Sequence, residues 1–213
     1  RYPVVYLLHG YSGNYAQWLQ HAPQLLQQAD MLQLMLVCPD GGYNSWYMDS
    51  PVDSTYRYET FTAKELPAWI DSRYRTIARS SGRAITGLSM GGHGALYLAF
   101  RNKQVFSQAG SVCGGVDLRP FPGNWDLKQR LGDTICCKSN WEKHSVINLA
   151  DSIRNYELRL IIDCGIDDFF LPVNRALHNK LLQLGIGHDY TERPGAHNKA
   201  CLLYTSDAAD DLL

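Results

Sequence analysis

The chain has 213 residues, 45% of them hydrophobic, which suffices to bury one substantial core as a single domain. Lysine and arginine number 20 against 21 acidic residues, a net charge of −1 with no basic run, which argues against a nucleic-acid partner. There is no long apolar span, no G-x-x-x-x-G-K-[ST] loop and no H-E-x-x-H or C-x-x-C spacing among the seven histidines and six cysteines, so no membrane, cofactor or metal is expected.

In chain order, strands are expected at Val4–Leu8, 34–38, 83–86, 107–112, 158–163 and 188–192. Helices are expected between them, near 20–31, 57–71, 91–102, 144–154 and 172–184. That alternation predicts an α/β fold with a doubly wound, mostly parallel sheet and helices on both faces. The first strand, Val-Val-Tyr-Leu-Leu, is apolar almost throughout, as suits a strand buried on both faces.

Between the third strand and the helix after it stands Gly87-Leu88-Ser89-Met90-Gly91. A serine between two glycines at a strand-to-helix turn is held in a strained conformation that exposes its hydroxyl, and flanking side chains would block the turn. The same turn aims the Met90 amide and the helix N-terminus at the point where negative charge develops when a hydroxyl attacks an ester carbonyl. The glycine-rich start, Gly91-Gly92-His93-Gly94, costs about 1 kcal/mol per glycine relative to alanine. Close approach of helix to sheet under the serine is the compensating gain.

Such a nucleophile needs a base and an orienting acid, which in α/β-hydrolases follow in the order serine, acid, histidine. This chain has that order. The strand at 158–163 runs into Cys164-Gly165-Ile166-Asp167-Asp168-Phe169, a glycine turn carrying two aspartates at a strand's C-terminal end. Further on, Arg193-Pro194-Gly195-Ala196-His197-Asn198 places a histidine in a loop, where placement favours chemistry over packing.

The strings LLHGYSG at 7–13, PDGGYNSWYMDS at 39–50, GLSMGGHGALYLAF at 87–100, DCGIDDFF at 163–170 and RPGAHN at 193–198 resemble the esterase D branch of the α/β-hydrolases. That branch includes S-formylglutathione hydrolases, tributyrin-type esterases and feruloyl and acetyl-xylan esterases. The resemblance runs from about residue 2 to residue 198. It implies the α/β-hydrolase fold, Ser89 as nucleophile, His197 as general base and then acid, and Asp168 as orienting acid. Its spacing, three residues after the turn glycine, selects Asp168, with Asp167 as the competitor and Asp163 structural. It also implies an oxyanion hole from the backbone amides of Tyr11 and Met90, where side-chain identity matters less.

Relatives of this kind carry strands upstream of the first one here, so the domain is expected to span 1–198 with its N-terminal strands missing. The stretch 199–213 reads like translated sequencing-library adaptor and is expected to be non-native.

Tyr43, Trp46 and Tyr47 lie in a Gly-rich loop at the ligand-binding end of the sheet, and are candidates for lining a substrate pocket as well as for packing the loop. The segment 113–143, with Trp125 and Trp141, is a candidate cover over the site. His9 and His93 are expected to be structural, and His21, His144, His178 and His188 to lie at the surface or in loops. Glu59, Glu65, Asp49 and Asp53 are expected to cover a solvated face.

The expected activity is hydrolysis of a small-molecule or carbohydrate-linked carboxylic ester through an acyl-enzyme. The alternatives are an S-formylglutathione thioesterase, an acyltransferase and a non-catalytic module. His-Gly-Tyr-Ser-Gly at 9–13, where formylglutathione hydrolases typically show a Ser-Gly-Leu-Thr-Cys-like stretch, favours the carbohydrate-linked ester.

Overall fold

The first strand, β1 (Val4–Leu8), is buried at every residue and sends its side chains alternately into two apolar layers. Val4, Tyr6 and Leu8 enter one layer, and Val5 and Leu7 the other. A period of two between opposite faces is what a strand covered on both sides requires. The computed structural model describes residues 1–198; the stretch 199–213, expected to be non-native, lies outside the described residues.

Elements then follow as α1 (Gln17–His21), α2 (Leu25–Met31), β2 (Met35–Val37), α3 (Tyr58–Thr60), α4 (Leu66–Arg73), β3 (Arg83–Leu88), α5 (Met90–Arg101) and β4 (Gln108–Val112). After these come α6 (Leu127–Leu131), α7 (Lys138–His144), α8 (Val146–Leu149), β5 (Arg159–Gly165), α9 (Leu171–Gln183) and β6 (Asp189–Arg193). The six strands make one parallel sheet in the order β2-β1-β3-β4-β5-β6. Helix α5 packs with α8 and most of the buried face of α9 on one side, whereas Trp18 of α1 and Leu25 of α2 pack on the other. This is the doubly wound sheet of the α/β-hydrolase fold.

The strand order reverses between β1 and β3, and loops leaving the carboxyl ends of strands on either side of such a point frame a crevice. Here those loops begin at His9 and Ser89.

Two expected helices are broken and a third is distorted, each at an identifiable residue. The 20–31 stretch divides at Pro23 into α1 and α2. The 57–71 stretch is helical, but Phe61–Glu65 widens to π geometry ahead of Pro67, which lacks the amide that the preceding turn would use. The 144–154 helix is replaced by α7, a break at extended Ser145, then α8 and a 3₁₀ turn over Ala150–Ser152. Strand β3 runs two residues beyond its expected end, because Leu8 pairs with Gly87 in register.

Candidate active site

The turn from β3 into α5 holds Ser89 at φ 56° and ψ −116°, a conformation non-glycine residues rarely adopt. Its amide donates to the Val112 carbonyl at 2.9 Å, and its carbonyl accepts from the His93 amide at 3.0 Å. The flanking glycines are steric necessities. A Cβ on Gly87 would strike the backbone of Gly91, and one on Gly91 would strike the Leu8 carbonyl.

His197 reaches Ser89 from the loop after β6. Its Nε2 accepts from the Ser89 hydroxyl at 2.8 Å, and its Nδ1–H donates to Asp168 Oδ2 at 2.7 Å. The other carboxylate oxygen of Asp168 accepts the Phe170 amide at 2.8 Å, so the acid is fully engaged though its side chain is wholly buried. Asp167, the competitor, is exposed; its backbone amide donates to Gly195 and so braces the histidine loop. Gly195 has φ 140°, open to glycine and rarely to other residues. Asp163, expected to be structural, binds Arg193 through both oxygens at 2.6 and 2.7 Å. Burial raises its pKa, and the guanidinium opposes that shift.

The loop after β1 is braced from several sides. Gly10 donates its amide to Gln17 Oε1 at 2.7 Å, Ser12 to the Tyr43 carbonyl at 2.8 Å, and Gly13 to the Gly10 carbonyl at 3.0 Å. The Tyr11 hydroxyl donates to Asp126 at 2.8 Å. Among the described residues, neither the Tyr11 nor the Met90 amide is donated to a protein acceptor. His9 is structural: Nδ1–H donates to the Gly10 carbonyl at 2.8 Å and Nε2 accepts the Gly41 amide at 2.7 Å.

Aromatic side chains crowd the His197 side. Phe169 lies 4.3 Å from the imidazole, centroid to centroid, and Trp125 stacks on Phe169 at 5.5 Å and 22°. Phe121 and Phe170 complete the cluster. Trp125 and Phe121 belong to the 113–143 segment, which therefore covers this edge of the site. Sequence reasoning missed Phe169 and Asp126. The pair Phe169-Phe170 directly after Asp168 was the available signal for the first.

For two of the candidate pocket residues the packing alternative holds. Trp46 and Tyr47 are fully buried at positive φ, and pack the interior instead of lining a pocket. The Tyr47 ring occupies the space left by Gly41 and Gly94, and its hydroxyl donates to the His9 carbonyl at 3.1 Å. Trp46 packs edge-on against His93, with its indole N–H directed to the Trp125 carbonyl at 3.2 Å. Tyr43 is 59% exposed and sits edge-on against Tyr11 at 5.0 Å.

Glu59 also departs from expectation. It is buried, and accepts from the Tyr97 hydroxyl at 3.1 Å, Arg101 at 2.9 Å and Asn102 at 3.3 Å. His144 is partly buried and stacks on Tyr97, while His178 and His188 are partly buried and hydrogen-bonded to one another at 2.8 Å. Behind the site, the ligating atoms of Cys113, Cys164 and Asp168 lie within 4.8 Å of one another, all buried. The hydrogen-bonded Cys164 thiol and burial raise the Cys113 pKa, and both Asp168 oxygens accept hydrogen bonds from Phe170 and His197.

A family model described as "Putative esterase" matches residues 1–204. Esterase Rv1288 of Mycobacterium tuberculosis is 32% identical over 225 residues, covering 92% of this chain and 48% of that protein. The chain thus spans about half the length of this relative. An acetyl esterase of Caldicellulosiruptor saccharolyticus is 27% identical over 207 residues, covering 92% of this chain and 77% of its own. Among solved structures, a ferulic acid esterase superposes with a TM-score of 0.80 at 26% identity, over 100% of this chain and 83% of that one.

Proposed function

Since the chain belongs to the "Putative esterase" family, we propose that it hydrolyses carboxylic esters through an acyl-enzyme on Ser89, with His197 as base, Asp168 as orienting acid and the Tyr11 and Met90 amides as the oxyanion hole. The observation that carries this reading is the continuous hydrogen-bonded series from Ser89 Oγ through His197 to buried Asp168.

Each step balances. Ser89 Oγ attacks the ester carbonyl carbon while its proton passes to His197 Nε2. Asp168 holds the Nδ1–H tautomer and stabilises the imidazolium that forms. The carbonyl oxygen, now anionic, meets the two amides. Collapse expels the alcohol, which takes the proton from His197. Water then attacks the acyl-serine with His197 again as base, releasing the acid and regenerating the serine hydroxyl.

The substrate class we infer is a short-chain or carbohydrate-linked acyl ester, acetyl or feruloyl in type. The acetyl esterase and ferulic acid esterase likenesses support it. So do the aromatic side chains of Phe169 and Trp125 beside His197 and of exposed Tyr43 beside Tyr11, which offer flat apolar surface to a sugar or phenolic ring.

The test is p-nitrophenyl acetate hydrolysis by the chain beside its Ser89→Ala variant, followed by acetylated xylan, methyl ferulate and S-formylglutathione. Ser89→Ala is expected to lower the rate on the order of 10⁴-fold or more. A variant retaining most activity overturns the assignment. Faster turnover of S-formylglutathione overturns the substrate class alone.

A further inference from the structure

The Tyr11 amide is donated by a loop with no regular secondary structure, so its direction depends on how the peptide plane between Gly10 and Tyr11 is pinned. Its carbonyl, on Gly10, accepts the Gly13 amide at 3.0 Å and the His9 Nδ1–H at 2.8 Å, while Gln17 holds the Gly10 amide one peptide earlier. The Tyr11 side is held through its side chain, whose hydroxyl donates to Asp126 Oδ2 at 2.8 Å. That same oxygen accepts from Asn44 Nδ2 at 3.0 Å, and Oδ1 accepts from Gln129 at 3.1 Å. One carboxylate thus ties together three segments remote in sequence: the loop after β1, the 41–47 loop and the cover segment.

Other observations point the same way. The Tyr43 carbonyl, next to Asn44, accepts the Ser12 amide at 2.8 Å, and the Tyr43 ring lies against Tyr11. Two further braces of the oxyanion loop, on the Ser12 amide and the Tyr11 ring, therefore come from Tyr43, the neighbour of the Asn44 that Asp126 holds. Trp125 and Asp126 are successive non-glycine residues at positive φ, 48° and 56°, and Trp125 stacks on the Phe169 that contacts His197. Hydrogen bonds from Asn44 and Tyr11 hold the Asp126 carboxyl below the usual carboxylate range, so it is ionised near neutral pH.

We infer that Asp126 is a positioning residue for ester hydrolysis, acting through the Tyr11 phenol to aim the Tyr11 amide at the developing oxyanion. This rests on the esterase reading above. It gives the Tyr11 side chain a task that its role as a backbone donor would not require.

The experiment compares wild type, Ser89→Ala, Tyr11→Phe, Asp126→Ala, Asp126→Asn and the Tyr11→Phe/Asp126→Ala double variant, on p-nitrophenyl acetate. Inhibition by phenylboronic acid, whose serine adduct places an oxygen where the oxyanion forms, is measured in parallel. Tyr11→Phe and Asp126→Ala are each expected to lower kcat about tenfold with KM nearly unchanged, since misaiming an oxyanion donor loses part of the effect of deleting it. The double variant is expected to be no worse than the poorer single one, because both remove one connection. Phenylboronate affinity is expected to fall in step with kcat, and Asp126→Asn, which keeps an acceptor for the phenol, to recover activity to within about threefold of wild type.

Tyr11→Phe is nearly isosteric, so it keeps the test valid should Asp126→Ala fail to fold. Ser89-dependent activity with unchanged kcat in Tyr11→Phe overturns the tether and leaves the esterase reading standing. Activity that survives Ser89→Ala overturns both. A rise in KM alone also overturns the tether, since it would mark Asp126 as a substrate contact.

Discussion

The phenyl ring of Phe169 covers the imidazole of His197 at a centroid separation of 4.3 Å, although the two residues come from loops after different strands. The residue directly after the proposed acid thus shields the proposed base. An aromatic face favours the imidazolium that forms during acyl transfer, by about 0.5–1 kcal/mol at a partly exposed site. Phe169→Ala is expected to lower kcat/KM on p-nitrophenyl acetate roughly two- to fivefold. An unchanged kcat/KM would show that the ring only fills space.

The two adjacent aspartates make a sharp comparison. Asp168→Asn keeps the shape but removes the acceptor that selects the His197 tautomer, and kcat is expected to fall about 10⁴-fold, as in other triads of this design. Asp167→Asn alters an exposed side chain whose contribution to the site is its backbone amide, and is expected to leave kcat within about twofold of wild type. Steady-state kinetics on the pair decides between them.

His93 makes stability depend on pH. Burial pushes its pKa down to about 3 from the usual 6.5, while the Gly115 carbonyl accepts its Nδ1–H at 3.1 Å. The unfolded chain therefore takes up a proton here below about pH 6.5, and the folded chain does so only near 3. Its contribution to stability is complete above the first value and is lost as pH falls toward the second. The loss between pH 7 and 5 is about 2 kcal/mol. His93→Phe keeps a ring beside Trp46 and Tyr97 without the titration, so its denaturant midpoint is expected to vary less over that range. An equally steep profile in the variant would place the pH dependence elsewhere.

Glycine substitutions should separate the crowded turn from open surface. Gly91→Ala forces a Cβ against the Leu8 carbonyl, and is expected to cost about 1–3 kcal/mol or more while displacing Ser89. Gly123→Ala meets nothing within 4 Å, and its effect is expected to stay within roughly 0.5 kcal/mol. Chemical denaturation of both measures the difference.

Local chemistry was readable in the sequence wherever one residue type had one physical use. Gly87 and Gly91 announced a turn that only they fit, and the apolar run at 4–8 announced a strand covered on both faces. What escaped depended on partners far away in the chain. For Trp46 and Tyr47 the sequence left pocket lining and packing both open, because their burial is set by Gly41, Gly94 and His93, which leave room for their rings or pack against them. Glu59 read as a solvated charge because its neutralising donors, Tyr97, Arg101 and Asn102, stand on the far side of the sheet's third strand in sequence. Asp126 had no local signature at all, since the Tyr11 phenol it holds is 115 positions away.

Strand β6 ends the sheet, none of its residues is fully buried, and it leads directly to His197. Segments with so little apolar cover exchange their amides through small local openings, well before a molecule melts as a whole. Undocking of this one edge would carry the imidazole away from a serine 108 positions earlier in the chain, with the rest of the sheet untouched. On warming, turnover should therefore fade ahead of the loss of far-ultraviolet ellipticity, making hydrolysis a gauge of how firmly this edge is docked.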